Sequence, residues 1–446
     1  MAKICKVEAI RFDSSKQQSK GFVGAKSADK KGGLVRTSTA SPMLVHQDVK
    51  TGPCGPGEVA VKVTCDDGVY GYGATGGYRI VTASLIEEAL APLIIGLEAT
   101  DVEKVWDIMF RATIPVGRTG AMIEAISGID VALWDIKAKS LGLPIYELLG
   151  GKVRDRIPMY ANCWFPSAKE PDEFAKYAKK TVDMGINALK WDPFGKSYLY
   201  MSNKEMRHAE DIVAAVREAV GPDVDLLIEC HGRFDPKTGI QIGKVLEPYN
   251  PMFIEEPCPP DSLEALAEVH KKSPVPVAAG ERLYTHYQFK NFLDLHCADY
   301  VQPDISHCGG ISGMMKFAAM AEANYVALAP HNPSGPVASA ASRQIAACTP
   351  GFRVLEIVVT DVNWRKDITN EQIVFENGDL LIEQTPGHSI ELNHEECAKY
   401  PFEPTDLRHY NGNLTNVRPA GKTSYYFKGL EQYKFEEVVE VKGTHN

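Results

Sequence analysis

The chain has no apolar run approaching the ~20 residues of a membrane-spanning helix. It also has no C-x-x-C pair among its ten cysteines, no excess of positive charge, and no histidines or cysteines paired at metal-ligand spacing. Each absence removes a class of protein. The N-terminus, MAKICKVEAIRF, lacks the apolar core of an export signal, so the scattered cysteines are expected to be reduced thiols and the protein cytoplasmic. A formal net charge of −10 repels nucleic acid and anionic membrane surfaces, and neither is an expected partner. Without paired imidazole or thiolate ligands, an ordinary zinc site is excluded. At 446 residues the chain exceeds one ordinary core, which leaves two domains or a barrel of about 250 residues with additions.

What the chain does contain is a rhythm. Glu229, Glu255 and Glu281 recur at a spacing of 26 residues, each closing a short apolar run: LLIE, MFIE and VPVAAGE. That spacing is the length of one strand-plus-helix unit, which predicts three carboxylates side by side at the C-terminal ends of consecutive barrel strands. The beat continues through Asp304 in VQPD, His331 in VALAPH and Glu356 in RVLE, at intervals of 23, 27 and 25 residues. One such residue is an ordinary solvated strand terminus. Six in phase mark the catalytic rim of a (β/α) barrel.

The rhythm divides the chain into three parts. Residues 1–155 lack it and read as an α+β domain. An alternating strand, KVEAIRF, is followed by a hairpin in VAVKVTCDDGVYGYG turning at Asp66-Asp67-Gly68, then by helices marked by Ile126, Ile129, Leu133 and Ile136. Between them, Ser14 to Ser41 is Lys-, Ser- and Gly-rich, either a surface insertion or a lid over a ligand, and the Gly-rich turn Tyr72 to Tyr78 is a second lid candidate. Residues 156–358 alternate strand and helix, with strands at IPMYAN, INALKWD, DLLIECH, MFIEEP, VPVAAGE, DYVQPD, YVALAPH and RVLEI. In residues 359–446 no eighth full helix follows. VFENGDLLIE reads as a strand pair turning at Asn377-Gly378 and returning to the N-terminal domain, and the tail from Pro386 has no assignable structure.

Three carboxylates alone make a hard, oxygen-only site suited to Mg²⁺ and tolerant of Mn²⁺. Asp304 and His331 end adjacent strands, so a hydrogen bond between them would fix the ring's tautomer, raise its basicity and leave the other nitrogen as a general base. His231, two residues after Glu229 in ECHGRF, is expected on the same side as that glutamate. There it either delivers a proton to a leaving hydroxide or orients substrate, the alternative being an outward loop histidine. Lys190 and Asp192 share one face of the strand end Lys190-Trp191-Asp192, as a cation holding developing charge or as a salt-bridged pair. With Arg233, they are the candidate substrate contacts.

The ordered set Glu229, Glu255 in IEEP, Glu281 in AAGE, Asp304 in QPD, His331 in APH and Glu356 resembles the enolase superfamily in its mandelate racemase subgroup. The segment GIDVALWDIKAKSLGLPIYELLGG is similar to that family's passage from cap to barrel. ECHGRF, QPDISHCGGI and ALAPHNPSGP look most like the sugar-acid dehydratases that act on galactonate or gluconate. The resemblance implies a modified (β/α)7β TIM-type barrel with an α+β capping domain formed from the N-terminal region and part of the C-terminal region. It implies Mg²⁺ on Glu229, Glu255 and Glu281, the Asp304–His331 dyad taking the α-proton, His231 expelling the 3-hydroxyl, and Glu356 bonding the substrate carboxylate. A symmetric homo-oligomer, dimer or octamer, is usual in such a family.

One departure is informative. The family's racemases carry Lys-x-Lys at the end of strand two, whereas here Lys190 matches the first lysine and Asp192 replaces the second. Two strong bases suit racemisation; one base and a positioned acid suit β-elimination. The expected reaction is loss of the C2 proton and 3-hydroxyl of an aldonate, giving a 2-keto-3-deoxy acid. A cycloisomerase or epimerase of a sugar acid or lactone is the alternative, and a non-catalytic metal-binding barrel is the weaker one. A hydrolytic metal barrel is weaker still, since strand one, MYANCW, lacks paired histidines.

Overall fold

A computed structural model describes residues 2–12, 58–76, 79–165, 168–195, 197–359, 365–370, 375–382 and 384–399. The stretch Ser14–Ser41 and the tail beyond residue 399 lie outside the described residues. Three antiparallel strands, β1 (Ile4–Phe12), β2 (Glu58–Cys65) and β3 (Tyr70–Thr75), pair in the order β1-β2-β3. The Asp-Asp-Gly hairpin turns where expected, with Gly68 at φ +88°. Alternation along β2 sends Val59, Val61 and Val63 to one face, where they pack on Ile123, Ile126, Ile129, Leu133 and Ile136 of the helix Ala121–Leu141.

This cap helix is buried on nearly every face, because the sheet covers one side and the barrel the other. Its approach to β3 is close: a Cβ on Gly73 would stand 1.8 Å from the carbonyl oxygen of Gly128. The Gly-rich sequence from Tyr72 is therefore no lid where it is described. Residues 70–75 form β3, and their glycines let strand and helix touch backbone to backbone; Gly77 and Tyr78 lie outside the described residues.

The strand-and-helix alternation yields β4 (Arg156–Asn162), β5 (Ala188–Trp191), β6 (Asp225–Glu229), β7 (Phe253–Glu255), β8 (Val277–Ala279), β9 (Tyr300–Val301), β10 (Ala327–Leu328) and β11 (Leu355–Val358). The strands run parallel in sequence order from β4 to β10, and β11 pairs with β4. A bridge between Leu328 and Phe352 closes the circle, with Leu328 N–H donating to Gly351 and Arg353 N–H to Leu328. Helices such as Asn203–Val220 and Gly310–Ala323 fill the crossovers, and among the described residues none of full length follows β11. Tyr160, Ala188, Leu227, Phe253, Ala278, Ala329 and Val354 form a separate apolar cluster drawn from successive strands, the layer that plugs the interior. No helix among the described residues is long and apolar enough to cross a membrane.

After β11 the course differs from expectation. The hairpin β12 (Phe375–Glu376) and β13 (Asp379–Leu381) turns at Asn377-Gly378 as predicted but joins the barrel, where β13 pairs antiparallel with β4. The register explains this. β11 pairs only with residues 159–162 of β4, leaving the backbone of 156–158 open, and β13 takes that edge while Leu380 enters the main core. The segment that reaches the cap comes later. Ile390, Leu392 and Cys397 join Ile368 against Ala60 and Tyr72 on the second face of the small sheet. His388 Nε2 lies 2.7 Å from the carbonyl oxygen of Tyr72, and its N–H donates to Asp135 on the cap helix. The start of the tail, residues 386–399, is thus placed on the cap.

Adding one methyl group at the crossing of β3 and the cap helix tests this packing. Gly73→Ala is expected to lower unfolding free energy by about 1–3 kcal/mol or more, seen as a lower urea midpoint, while an exposed control such as Lys104→Ala stays near wild type.

Candidate active site

Glu229 and Glu255 end β6 and β7, Glu281 lies two residues past β8, and adjacent strands bring one carboxylate oxygen of each within 4.8 Å of the others. The cluster is buried and short of positive charge. Lys190 Nζ lies 2.8 Å from Glu255 Oε1, 3.0 Å from Glu356 Oε1 and 3.5 Å from Glu229 Oε2. Gln302 donates to the other Glu255 oxygen at 2.7 Å, and Arg282 touches Glu281 at 3.1 Å while also pairing with Glu256. Even so, burial, followed by the charge of Glu229, raises the Glu255 carboxyl. Burial against the pull of His331 raises Glu281 to about 8. Carboxylates forced upward by burial and mutual repulsion fit a divalent cation in their midst, and an all-oxygen donor set fits a hard one.

Two His–Asp pairs flank this ring. On the β9–β10 side, His331 Nδ1 lies 2.8 Å from Asp304 Oδ2, leaving Nε2 on the side of Glu281, 3.4 Å from its Oε2. Burial opposes charge on this ring, but Glu281 and the Asp304 hydrogen bond outweigh it and bring the imidazole to about 10. Asp304 is held down to about 2 despite burial, by His307 and then by His331. On the β5–β6 side, His231 Nδ1 lies 2.7 Å from Asp192 Oδ2. Burial lowers His231, partly countered by that bond.

His231 reaches its place by a turn rather than by strand alternation. The chain leaves β6 at Glu229 and adopts φ +52° at His231, followed by Gly232 at φ +62°. This left-handed step, uncommon for a side chain with a Cβ, lets the His231 N–H donate to Glu229 Oε1 at 2.5 Å while the ring meets Asp192.

Three candidate substrate contacts serve other ends. Arg233 is 0% exposed. Its donors go to Asp192 at 2.8 Å on both oxygens and to the carbonyls of Gly195, Ser197 and Cys230, so nothing remains for a ligand. Asp192 spends its carboxylate on His231, Arg233 and the Phe194 N–H. Lys190 pairs with the glutamates and not with Asp192, its neighbour in the candidate salt bridge. Glu356, expected to bond the substrate carboxylate, is also 0% exposed and accepts from Asn162 Nδ2 at 2.6 Å and Asn332 N–H at 2.9 Å besides meeting Lys190. Asn162, Gln302 and Asn332 were not singled out from sequence. Their signal was polarity at a strand end or beside one, in MYAN, VQPD and APHN.

The loop after β9, which carries Asp304, is clamped by the cap helix. Ser127 Oγ accepts from Gly309 N–H at 2.9 Å, Asp130 accepts from Ser312 N–H and Oγ at 3.0 and 2.6 Å, and Trp134 Nε1 donates to Ser312 Oγ at 2.9 Å. Gly310, at φ +72°, admits this approach, since a Cβ there would stand 2.3 Å from Asp130 Oδ2. Cap docking and dyad placement are therefore one event.

Comparison with known proteins agrees with this architecture. Residues 173–396 match the family model described as enolase C-terminal domain-like, and residues 55–150 that of the mandelate racemase / muconate lactonizing enzyme N-terminal domain. The chain is 36% identical over 368 residues to a D-gluconate dehydratase of Thermoproteus tenax, covering 82% of this chain and 74% of that protein. It is 34% identical to a D-galactonate dehydratase of Pectobacterium atrosepticum, covering 75% and 88%. The crystal structure of a mandelate racemase/muconate lactonizing enzyme-like protein from Rubrobacter xylanophilus superposes with a TM-score of 0.75 at 29% identity, covering 90% of this chain and 98% of that one.

Two outcomes follow from the site's electrostatics. Saturating Mg²⁺ is expected to raise the melting temperature, by the equivalent of about 2.7 kcal/mol at a hundredfold excess over Kd, and Glu255→Gln should abolish that increment in a thermal-shift titration. Arg233→Met leaves Asp192 with a buried charge short of its partner and is expected to cost about 3–5 kcal/mol in urea unfolding, the mark of a structural arginine.

Proposed function

Because the chain belongs to the mandelate racemase / muconate lactonizing enzyme family of the enolase superfamily, we propose that it dehydrates a sugar acid of the gluconate or galactonate class, with Mg²⁺ held by Glu229, Glu255 and Glu281. The observation that carries this reading is the pair of histidines at opposite ends of the carboxylate ring, each fixed through Nδ1 by its own aspartate. One side can then take a proton while the other gives one up. β-Elimination of water needs that division of labour.

When bound, the cation supplies the positive charge against which a carboxylate can accept a second negative charge. The remaining work falls to the chain's own residues. His331 Nε2 takes the C2 proton, and Asp304 stabilises the imidazolium that results. The electron pair released at C2 moves into the substrate carboxylate. Lys190 does not touch the substrate; it holds Glu255 and Glu356 from beneath and offsets their charge. As the pair returns to form the C2–C3 double bond, the 3-hydroxyl leaves with a proton from His231, so water departs and the enol tautomerises to a 2-keto-3-deoxy acid. The Glu281 charge that raises His331 is one that a cation on Glu229, Glu255 and Glu281 would offset, leaving His331 able to accept the C2 proton, and the Asp192 hydrogen bond works against burial to keep a proton on His231.

Two His–Asp pairs also suit epimerisation at C2, where each imidazole would serve one face. The product separates these readings: dehydration yields a keto acid that forms a semicarbazone chromophore, and epimerisation yields none.

A panel of aldonates and aldarates with Mg²⁺ is expected to yield keto acid from at least one member. His331→Asn should lower its kcat by about 10²–10⁴-fold and stop exchange of the C2 proton with deuterium oxide. His231→Gln should lower dehydration by a similar factor while C2 exchange persists. Loss of exchange in both variants would remove the assignment of base and acid, and absence of keto acid across the panel would remove the dehydratase.

A further inference from the structure

The cap carries an acidic side chain near the barrel mouth that the chemistry above does not use. Glu124 lies in the first turn of the helix Ala121–Leu141, is 4% exposed, and has a buried Oε2 with no hydrogen-bond partner among the described residues. The helix dipole favours a carboxylate at this end. It does not supply the missing donor, and a buried carboxylate oxygen left unbonded is costly enough to ask what completes it.

One turn along the same face of the helix, Ser127 Oγ accepts from Gly309 N–H in the loop that carries Asp304, so Glu124 shares the surroundings of the proposed dyad. Burial pushes the Glu124 carboxyl up, His307 draws it down, and Asp304 adds to the rise. Tyr284, in the loop after β8, feels the charges of Glu124, Arg282, Glu281 and Asp304. The His307 ring is centred 6.3 Å from the rings of both Tyr284 and His331. Its Nδ1 faces the Glu281 carbonyl oxygen at 3.3 Å. Its Nε2 faces Gly76 of the cap so closely that a Cβ there would stand 1.9 Å away. Glu124, Tyr284 and His307 therefore gather where the cap meets the proton-abstracting side of the ring. The clamp of Ser127 and Asp130 on the β9 loop holds the cap helix in register with it.

A sugar acid placed for elimination presents its carboxylate to the metal ring, its C2 proton to His331 and its 3-hydroxyl to His231. Carbons 4 to 6 still carry hydroxyl donors, and the residues of the ring and the two His–Asp pairs are committed elsewhere. We propose that Glu124 is a specificity-determining residue whose free carboxylate oxygen accepts a hydrogen bond from a hydroxyl on carbons 4 to 6 of the sugar acid. The assignment rests on the dehydratase reading. It pairs a buried acceptor lacking a donor with a ligand rich in donors, and it places part of substrate selection on the cap helix itself.

The test compares wild type, Glu124→Met and Glu124→Ala on six-carbon aldonates, with glycerate as an inhibitor that carries the acid and both reacting hydroxyls but nothing beyond C3. Glu124→Met keeps roughly the side chain's length, removes the acceptor and breaks no hydrogen bond among the described residues, so it should melt with wild type even if the alanine variant does not fold. The expected result is a rise in KM for the preferred aldonate of about tenfold, with kcat within about threefold, a flatter preference between C4 epimers, and an unchanged inhibition constant for glycerate. An unchanged aldonate KM in Glu124→Met overturns the proposal, as does an equal weakening of aldonate and glycerate, which would mark a support of the ring. Wild type that turns over no sugar acid overturns the dehydratase reading instead, a separate failure seen before any variant is made.

Discussion

The ammonium of Lys190, buried among Glu229, Glu255 and Glu356, is the contact on which the rest of the site depends. Carboxylates crowded at adjacent strand ends and shut off from water would not stay ionised unaided. One fixed positive charge beneath them offsets part of the repulsion and leaves a deficit that a hard dication fits. The arrangement is therefore incompletely compensated by design of its charges, and the raised carboxyls of Glu255 and Glu281 record that deficit. Glu356 and its partners Asn162 and Asn332 belong to the same system, because they hold the ammonium in place.

Around this centre the structure repeats one device twice. An aspartate just past a strand end meets a histidine through Nδ1, which fixes the ring and leaves Nε2 for chemistry, on the β5–β6 side with Asp192 and on the β9–β10 side with Asp304. The supports differ. Asp192 is braced by Arg233 from within the barrel, whereas the loop bearing Asp304 is braced from outside by Ser127, Asp130 and Trp134 of the cap helix. Loosening the cap would thus disturb the proposed base before the proposed acid.

Much of this was legible in the chain. The alternation of strand and helix marked all eight barrel strands, and the beat of six strand-ending residues brought Glu229, Glu255, Glu281, Asp304 and His331 to one rim, because a parallel barrel converts sequence spacing into adjacency. Roles that depend on rotamer and burial were not legible. Arg233 reads like a ligand contact from sequence, yet a guanidinium in a fully buried loop is claimed by carbonyls and Asp192. His231 was placed by strand alternation, but the chain had already left the strand and turned left-handed. The Asn377-Gly378 hairpin was correct as a turn and wrong as a destination, since β13 takes the edge of β4 that β11 leaves open.

Local pattern and spacing by themselves determined the barrel, the small antiparallel sheet, the acidic ring and the paired Asp304 and His331, for these follow from period, strand order and the chemistry of side chains at strand ends. Tertiary structure alone decided which groups are spent on one another. Lys190 under the ring, Asp192 behind His231, Glu356 sealed by two asparagines and Glu124 left without a donor are outcomes of three-dimensional packing. A linear sequence states what each side chain can bond, but only the closed fold determines which partner reaches it first and whether water can compete.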